Sequence, residues 1–227
     1  MTEHHTIDPD LSDDGFDETI GDDLDESGET DSAAGPGGWP GERATGWLML
    51  VAGLVSLVAS LTLAIEKVEL LINPQYVPSC NISPVFSCGS IMKTEQASAF
   101  GFPNPFMGIG GFAAVAVVGA AILAGARMQR WFWLAVQVGA TFGLGFVCWL
   151  IFQSLYRIGA LCPYCMVVWA MTLPLFWYIT VRNATHGVFG RAVATSAPVR
   201  FAESWHAAVL IVGYLVVVAM IALRFFL

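Results

Sequence analysis

Charged residues are scarce in this chain and unevenly distributed. They make up 12% of its 227 residues, whereas hydrophobic residues make up 56%. Residues 1–45 contain 14 of the 18 acidic residues and a single base, Arg43, so the remaining chain has four acidic and nine basic residues. So apolar a composition predicts a membrane protein, and the lack of a basic patch argues against nucleic acid as a partner.

The first 45 residues lack the apolar side chains that a folded core requires. They are rich in Asp, Glu, Ser, Thr and Gly, which predicts a disordered, acidic tail on the cytoplasmic side. A basic stretch followed by a short apolar one is also missing, so the chain does not begin with the pattern of a cleavable signal peptide.

Five apolar segments follow, each about the length that crosses a bilayer as a helix: Trp47–Ile65, Pro105–Ala126, Trp131–Phe152, Cys162–Val181 and Ala207–Phe226. We therefore predict an all-α integral membrane protein, with four helices within residues 46–181 and a cytoplasmic loop and fifth helix within 182–227. Charged residues are absent from the middle of every segment, which argues against a transporter. Glycines in the second and third segments, including Gly119, Gly139 and Gly143, predict close helix packing.

The connection of residues 67–104 is the only long one between the first four helices, and its four prolines, with Pro105 directly after it, exclude another span. Long loops in compact domains are usually functional. We expect the first helix to run on to Asn73, and a short half-helix within residues 87–99 with Ser87 as its N-cap.

The five cysteines are few enough to exclude a dense disulfide framework, and four of them form two pairs. Cys162 and Cys165 form a C-x-x-C at a helix start, where the helix dipole and free N–H groups favour a thiolate. Cys80 and Cys88 lie in the long loop, and two disulfide pairs on one side of a bundle could pass electrons from one to the other. Cys148, inside an apolar segment, is interpreted as structural.

Other readings of these cysteines are weaker. The loop pair alone could be a structural disulfide, and both pairs could brace a non-enzymatic membrane scaffold. A zinc site would usually have a second C-x-x-C, and haem attachment a C-x-x-C-H, and neither pattern occurs. No metal is therefore expected.

The basic residues predict the orientation in the membrane. With a cytoplasmic N-terminus, six lie inside and four outside, a moderate bias of the usual sign; the inner six are Arg43, Arg127, Arg130, Arg182, Arg191 and Arg200. The same orientation brings Cys80, Cys88, Cys162 and Cys165 together on the outer, oxidising face of the plasma membrane.

The order of these features resembles the vitamin K epoxide reductase family of the bacterial type. A loop cysteine pair is followed by a hydroxyl residue, then by Phe100-Gly101-Phe102-Pro103-Asn104-Pro105-Phe106-Met107-Gly108, and finally by a C-x-x-C that opens the fourth helix. The resemblance covers roughly residues 46–181. It implies a four-helix bundle around a quinone site and a membrane disulfide oxidoreductase that supports disulfide formation in exported proteins.

The resemblance also implies roles for individual residues. Cys165 would face the quinone, Cys162 would exchange with Cys88, and Cys80 would meet a soluble partner; the reverse order within the loop pair is the alternative. The quinone would be of the menaquinone or vitamin K type, with ubiquinone as the alternative. Two residues match the family's quinone site: Asn104, which could instead be a turn residue, and Thr94, with Ser90 as a competitor. Phe106 and Trp169 are assigned to the site because they are aromatic residues near the helix mouths, where packing or lipid contact is the alternative for most such residues.

Two departures from the family pattern refine these expectations. Trp169 stands where animal enzymes have a tyrosine, which favours quinone reduction over epoxide reduction. Many bacterial members carry a thioredoxin-like domain after the fifth helix, whereas here we expect a separate thioredoxin- or DsbA-like partner. The unrelated DsbB family catalyses the same reaction. There the C-x-x-C lies in the earlier outer loop and the wider cysteine pair in the later one, which is the reverse of the order in this chain.

Overall fold

The computed structural model describes residues 41–225, and most of the predicted acidic tail lies outside the described residues. The helices are α1 (Glu42–Ile72), α2 (Cys88–Met92), α3 (Asn104–Leu123), α4 (Arg130–Phe152), α5 (Pro163–Thr185), α6 (Arg191–Ala194), α7 (Ala197–Ser204) and α8 (His206–Phe225). Five of them are long and apolar enough to cross a membrane: α1, α3, α4, which runs on to Ile158, α5 and α8. The chain is thus an all-α, multi-pass membrane protein, as predicted.

Helix α1 organises the bundle, because both α3 and α5 pack against it. Its contact with α3 is unusually close. A Cβ atom on Gly53 would lie 2.7 Å from the Ala116 backbone nitrogen, and one on Gly119 would collide with the Leu50 backbone nitrogen. Glycine at these positions lets the two backbones approach without side chains between them.

Helix α4 packs mainly on α5, and its glycines do not serve the same purpose. No atom outside the local helix lies within 4 Å of a Cβ built on Gly139 or Gly143. The expectation that glycine brings helices together is therefore correct for Gly119 and wrong for these two. Both border the central cavity instead, where a missing side chain leaves room.

Helix α8 lies outside the four-helix bundle and attaches to α5. Tyr214 donates a hydrogen bond to the Ala170 carbonyl (2.5 Å), and Arg224 Nε donates one to the Leu155 carbonyl (2.9 Å). None of the described residues of α8 lines the central cavity.

The helix boundaries follow the predictions with two differences. Helix α1 begins at Glu42, so residues 42–45 belong to a helix and not to the tail, and it ends at Ile72 as expected. Ser87 caps α2 as predicted, its Oγ accepting a hydrogen bond from the Ser90 N–H. The half-helix is interrupted, however, because α2 ends at Met92 and a separate 3₁₀ turn covers Glu95–Ser98.

Candidate active site

Three sulfur atoms meet at the end of the bundle where α1 finishes and α5 begins. Cys80 and Cys88 form a disulfide, and the Sγ of Cys88 lies 3.1 Å from the Sγ of Cys162. Cys162 and Cys165 are free thiols. A free thiol in contact with a disulfide sulfur is the arrangement that thiol–disulfide exchange requires.

A single backbone bridge holds the two cysteine segments in register. Leu161 N–H donates to the Val85 carbonyl (2.8 Å), and Ser87 N–H donates to the Leu161 carbonyl (3.0 Å), so that Phe86 and Leu161 pair as in a parallel sheet. Each segment therefore enters its helix beside the other. As a result, Cys88, the first residue of α2, faces Cys162, the N-cap of α5.

Polar side chains fix the loop around its disulfide. The Oδ1 atom of Asn81 accepts hydrogen bonds from the Gly89 N–H (2.9 Å) and the Ser87 hydroxyl (3.2 Å), which joins the two ends of the loop. The buried Glu66 carboxylate accepts from both the N–H and the hydroxyl of Ser79 (3.2 and 2.5 Å). A charged acceptor makes such bonds stronger than neutral ones, so α1 holds the residue before Cys80 firmly.

Cys162 is the N-cap of α5, and this position favours its ionisation. A hydrogen bond from the Cys165 side chain lowers the pKa of the Cys162 thiol below its ordinary value, and the backbone N–H groups of Cys165 and Tyr164 add to this effect against the opposing effect of burial. The N–H of Cys165 lies 3.4 Å from the Cys162 sulfur. The helix start therefore stabilises a thiolate at the residue that contacts Cys88.

A π-helical turn, Gln153–Ile158, follows α4 and connects it to the segment that contains the C-x-x-C. It ends at Gly159, whose φ of 71° is left-handed, a conformation that glycine adopts without steric cost. The reversal places Leu161, fully buried, beside the cysteine loop. Such π-helical turns often occur at functional sites.

A central cavity of about 650 Å³ opens beside the sulfur atoms, and residues of α1, α3, α4 and α5 all line it. Cys88, Cys162 and Cys165 are in its wall, and most of the other lining residues are apolar, including Phe112, Phe132, Phe142, Phe146 and Phe176. The volume and the lining are typical of a pocket for an apolar small molecule with a few polar groups.

Two of the four residues assigned to the quinone site line this cavity and two do not. Trp169 is buried in its wall, and Asn104, the first residue of α3, also lines it. The Asn104 amide already donates to the Gln96 carbonyl (2.7 Å) and accepts from the Ala99 N–H (3.0 Å). Among the described residues that line the cavity, neither Thr94 nor Phe106 occurs: Thr94 donates to the Ile91 carbonyl, and Phe106 is 44% exposed on α3.

Sequence reasoning missed the residues that position the cysteines. Glu66 and Lys67 lie in the stretch of α1 for which the sequence predicts only that the helix continues to Asn73. In the structure Glu66 holds Ser79, and the Lys67 ammonium donates to the Met92 carbonyl (2.5 Å) at the end of α2. Asn81, which joins the two ends of the loop, was not assigned this role. The only available signal was a pair of charged residues inside an otherwise apolar helix, next to the cysteine loop.

The sulfur atoms could also be considered as metal ligands. Those of Cys80, Cys88 and Cys162 lie within 4.8 Å of one another. Two of the three are joined in a disulfide, whereas a metal requires deprotonated thiolates. The arrangement in this state fits disulfide exchange.

Comparison with known families decides how this site is classified. The model of the vitamin K epoxide reductase family matches residues 47–180. The chain belongs to that family. Among curated proteins, none matches the chain. Membership in the vitamin K epoxide reductase family makes the chain a membrane oxidoreductase that acts on disulfides, and the matched segment begins in α1 and ends in α5, so it contains all four paired cysteines.

Proposed function

We propose that the protein reoxidises a secreted thioredoxin- or DsbA-like partner and passes the electrons to a membrane quinone, thereby supporting disulfide formation in exported proteins. The observation that carries this proposal is the 3.1 Å contact between Cys88 and Cys162 beside an apolar cavity that also contains Cys165. That contact joins a loop disulfide to a helix pair without any intermediate.

The internal transfer consists of two exchange steps. With the loop pair reduced and the helix pair oxidised, the Cys88 thiolate attacks Cys162, and the Cys162–Cys165 bond breaks with Cys165 as the leaving thiolate. Cys80 then attacks Cys88, which closes the loop disulfide and releases Cys162. Two electrons have moved to the helix pair, and the thiol protons lost by the loop are balanced by those that the helix thiols take up. A loop disulfide facing two free helix thiols corresponds to the product of this transfer.

The partner would reduce the loop pair through Cys80. Its two thiols are oxidised to a disulfide while the Cys80–Cys88 bond is reduced, so electrons and protons balance. Cys88 is the loop cysteine in contact with Cys162, which leaves Cys80 to the partner, and Val77, three residues before Cys80, is 67% exposed, which supports a docking surface there. We place this surface on the outer face of the plasma membrane, with the N-terminus cytoplasmic.

The cavity supports quinone as the electron acceptor, because its apolar and aromatic wall suits a substituted ring with an isoprenoid tail. A bound quinone supplies an acceptor for two electrons and two protons. Cys165 would present its sulfur to the ring, Trp169 would pack against it, and the second Nδ2 proton of Asn104 would hydrogen-bond a ring carbonyl. Menaquinone or vitamin K types are favoured and ubiquinone is the alternative. The assigned role of Thr94 depends on the family pattern alone, and that of Phe106 on its position near the start of α3.

The test is anaerobic quinone reduction by purified protein, driven by a reduced DsbA-like partner. We expect Cys80→Ala, Cys88→Ala, Cys162→Ala and Cys165→Ala to abolish partner-driven turnover. Cys148→Ala is the matched control, since Cys148 is free, exposed and outside the cavity lining, and it should keep full activity.

The competing function is a membrane scaffold in which the disulfides only brace the loops. It predicts that quinone addition changes neither the redox state of Cys162 and Cys165 nor the rate of partner oxidation. Turnover that persists in Cys165→Ala, or its absence with every quinone tested, would overturn the oxidoreductase mechanism proposed here.

A further inference from the structure

A second pocket, of about 510 Å³, lies at the end of the bundle opposite to the cysteines. Its wall includes Glu42 at the start of α1, whereas the cysteine loop follows the end of that helix. A 31-residue α-helix is about 45 Å long, so the two sites are separated by roughly the thickness of a bilayer. The quinone mechanism uses none of the residues of this second pocket.

Cations from three segments converge on this pocket. Arg127 lies in the turn after α3, Arg130 begins α4, and Arg182 lies in the last turn of α5, with His186 just beyond it. Glu42 is the one acidic residue among the described residues that line the pocket. The wall is therefore strongly basic although the chain as a whole is acidic.

The three arginines differ in how many hydrogen bonds and ion pairs their guanidinium groups already make. Arg182 is buried, stacks over the Trp133 ring (3.4 Å to the centroid) and pairs with Glu42 (3.0 Å), so its charge is already balanced. Arg130 uses only its Nε, which donates to the Val188 carbonyl (2.8 Å). Arg127 makes no hydrogen bond or ion pair within the part of the chain that the structure describes. Two guanidinium groups thus remain available to an anion.

We propose that this pocket binds a phosphate group. Arginine presents paired N–H donors that match phosphate oxygens, and the pocket lies where α1, α4 and α5 reach the bilayer surface. Its apolar wall residues, including Ile122, Met128 and Val188, would suit the glycerol and upper acyl chains of an anionic phospholipid. Inorganic phosphate could offer the same phosphate oxygens to the arginines, but it has no apolar group to contact these wall residues.

Thermal unfolding of the full chain in neutral detergent tests the proposal. Phosphatidylglycerol, phosphatidylcholine and inorganic phosphate are each titrated into separate samples, and the apparent affinity is taken from the rise in Tm. We expect phosphatidylglycerol to stabilise the wild type. Arg127→Gln/Arg130→Gln should weaken its binding about 30-fold, since each arginine near a lipid surface contributes roughly a factor of five.

Matched single variants separate binding from folding. Arg127→Gln removes no hydrogen bond or ion pair of the described chain and should by itself lower the affinity, whereas Arg200→Gln, on α7 and outside the pocket lining, should leave it unchanged. Stabilisation by inorganic phosphate that is as strong as that by the lipid, and equally sensitive to Arg127→Gln, would assign the site to free phosphate. Equal stabilisation by both lipids, or no effect of Arg127→Gln, would overturn the proposal.

Discussion

The two ends of the bundle are held together in opposite ways. At the cysteine end, the key alignment comes from the main chain, through the two hydrogen bonds that pair Phe86 with Leu161. At the opposite end it comes from side chains: Asn183, fully buried, donates to the Trp133 carbonyl (3.3 Å) and to Gln137 Oε1 (3.0 Å), and Gln137 in turn donates to the Thr180 hydroxyl (2.9 Å).

This difference suits different tasks. Cysteine side chains must exchange partners during a reaction, so their alignment cannot depend on contacts that they themselves break. Backbone pairing leaves the sulfur atoms free to react. The opposite end contains none of the paired cysteines, and the hydrogen bonds of Asn183 and Gln137 there fix how α4 and α5 pack. The expected consequence is that substitutions at the first end affect activity and those at the second affect stability.

The largest effect should come from Cys88→Ala. It removes the sulfur that Cys162 contacts, so partner-driven quinone reduction should fall to background while the Tm changes little. A small apolar dithiol that enters the central cavity, whose wall includes Cys165, should still reduce the helix pair directly and sustain turnover, which the same assay measures. Loss of both activities would show instead that Cys88 is needed for folding.

Asn183→Leu tests the opposite end. The substitution is of similar size but leaves the Gln137 amide oxygen and the Trp133 carbonyl without their donor, which should cost about 1–2 kcal/mol of stability. We expect a lower midpoint in denaturant unfolding and unchanged turnover per folded molecule. Reduced turnover at full stability would contradict the division between the two ends.

Glu66→Gln should have an intermediate effect on activity. The neutral amide makes weaker hydrogen bonds to Ser79, and the loss of about 1.4 kcal/mol in holding the residue before Cys80 would lower partner-driven turnover roughly tenfold. Ser79→Ala, which removes only the hydroxyl donor, should act in the same direction but less strongly. Turnover driven by a small dithiol is the control, since it bypasses the loop.

The smallest effect concerns the ionisation of Cys162. Its pKa is lowered in the folded chain, so its thiolate should form at a lower pH than that of an ordinary cysteine, whose pKa is about 8.5. By linkage, the stabilisation that accompanies this shift is present above the unfolded pKa and is lost as the pH falls through the folded one. Ultraviolet thiolate absorbance, with Cys162→Ser as the reference, measures the midpoint. A value at or above 8.5 would contradict the N-cap argument.

Hydropathy was sufficient to predict the five long helices, and the Ser87 cap followed from local chemistry, because both depend on residues close together in the sequence. The Phe86–Leu161 pairing could not be predicted in this way, since it joins segments 75 residues apart that carry no alternating strand pattern. The two kinds of glycine could not be separated either. Gly119 and Gly139 occur in similar apolar sequences, and only the packing of α3 on α1 distinguishes them.

The burial of the loop disulfide has a further consequence. Cys80 is 4% exposed and Cys88 is fully enclosed, so in this state the bond is insulated from the surrounding solution. Small thiols in solution therefore cannot reduce it by random collision. A protein that displaces the loop can reach the sulfur, which makes access conditional on recognition. The Cys80–Cys88 disulfide is thus expected to react only while a partner protein is docked on the loop.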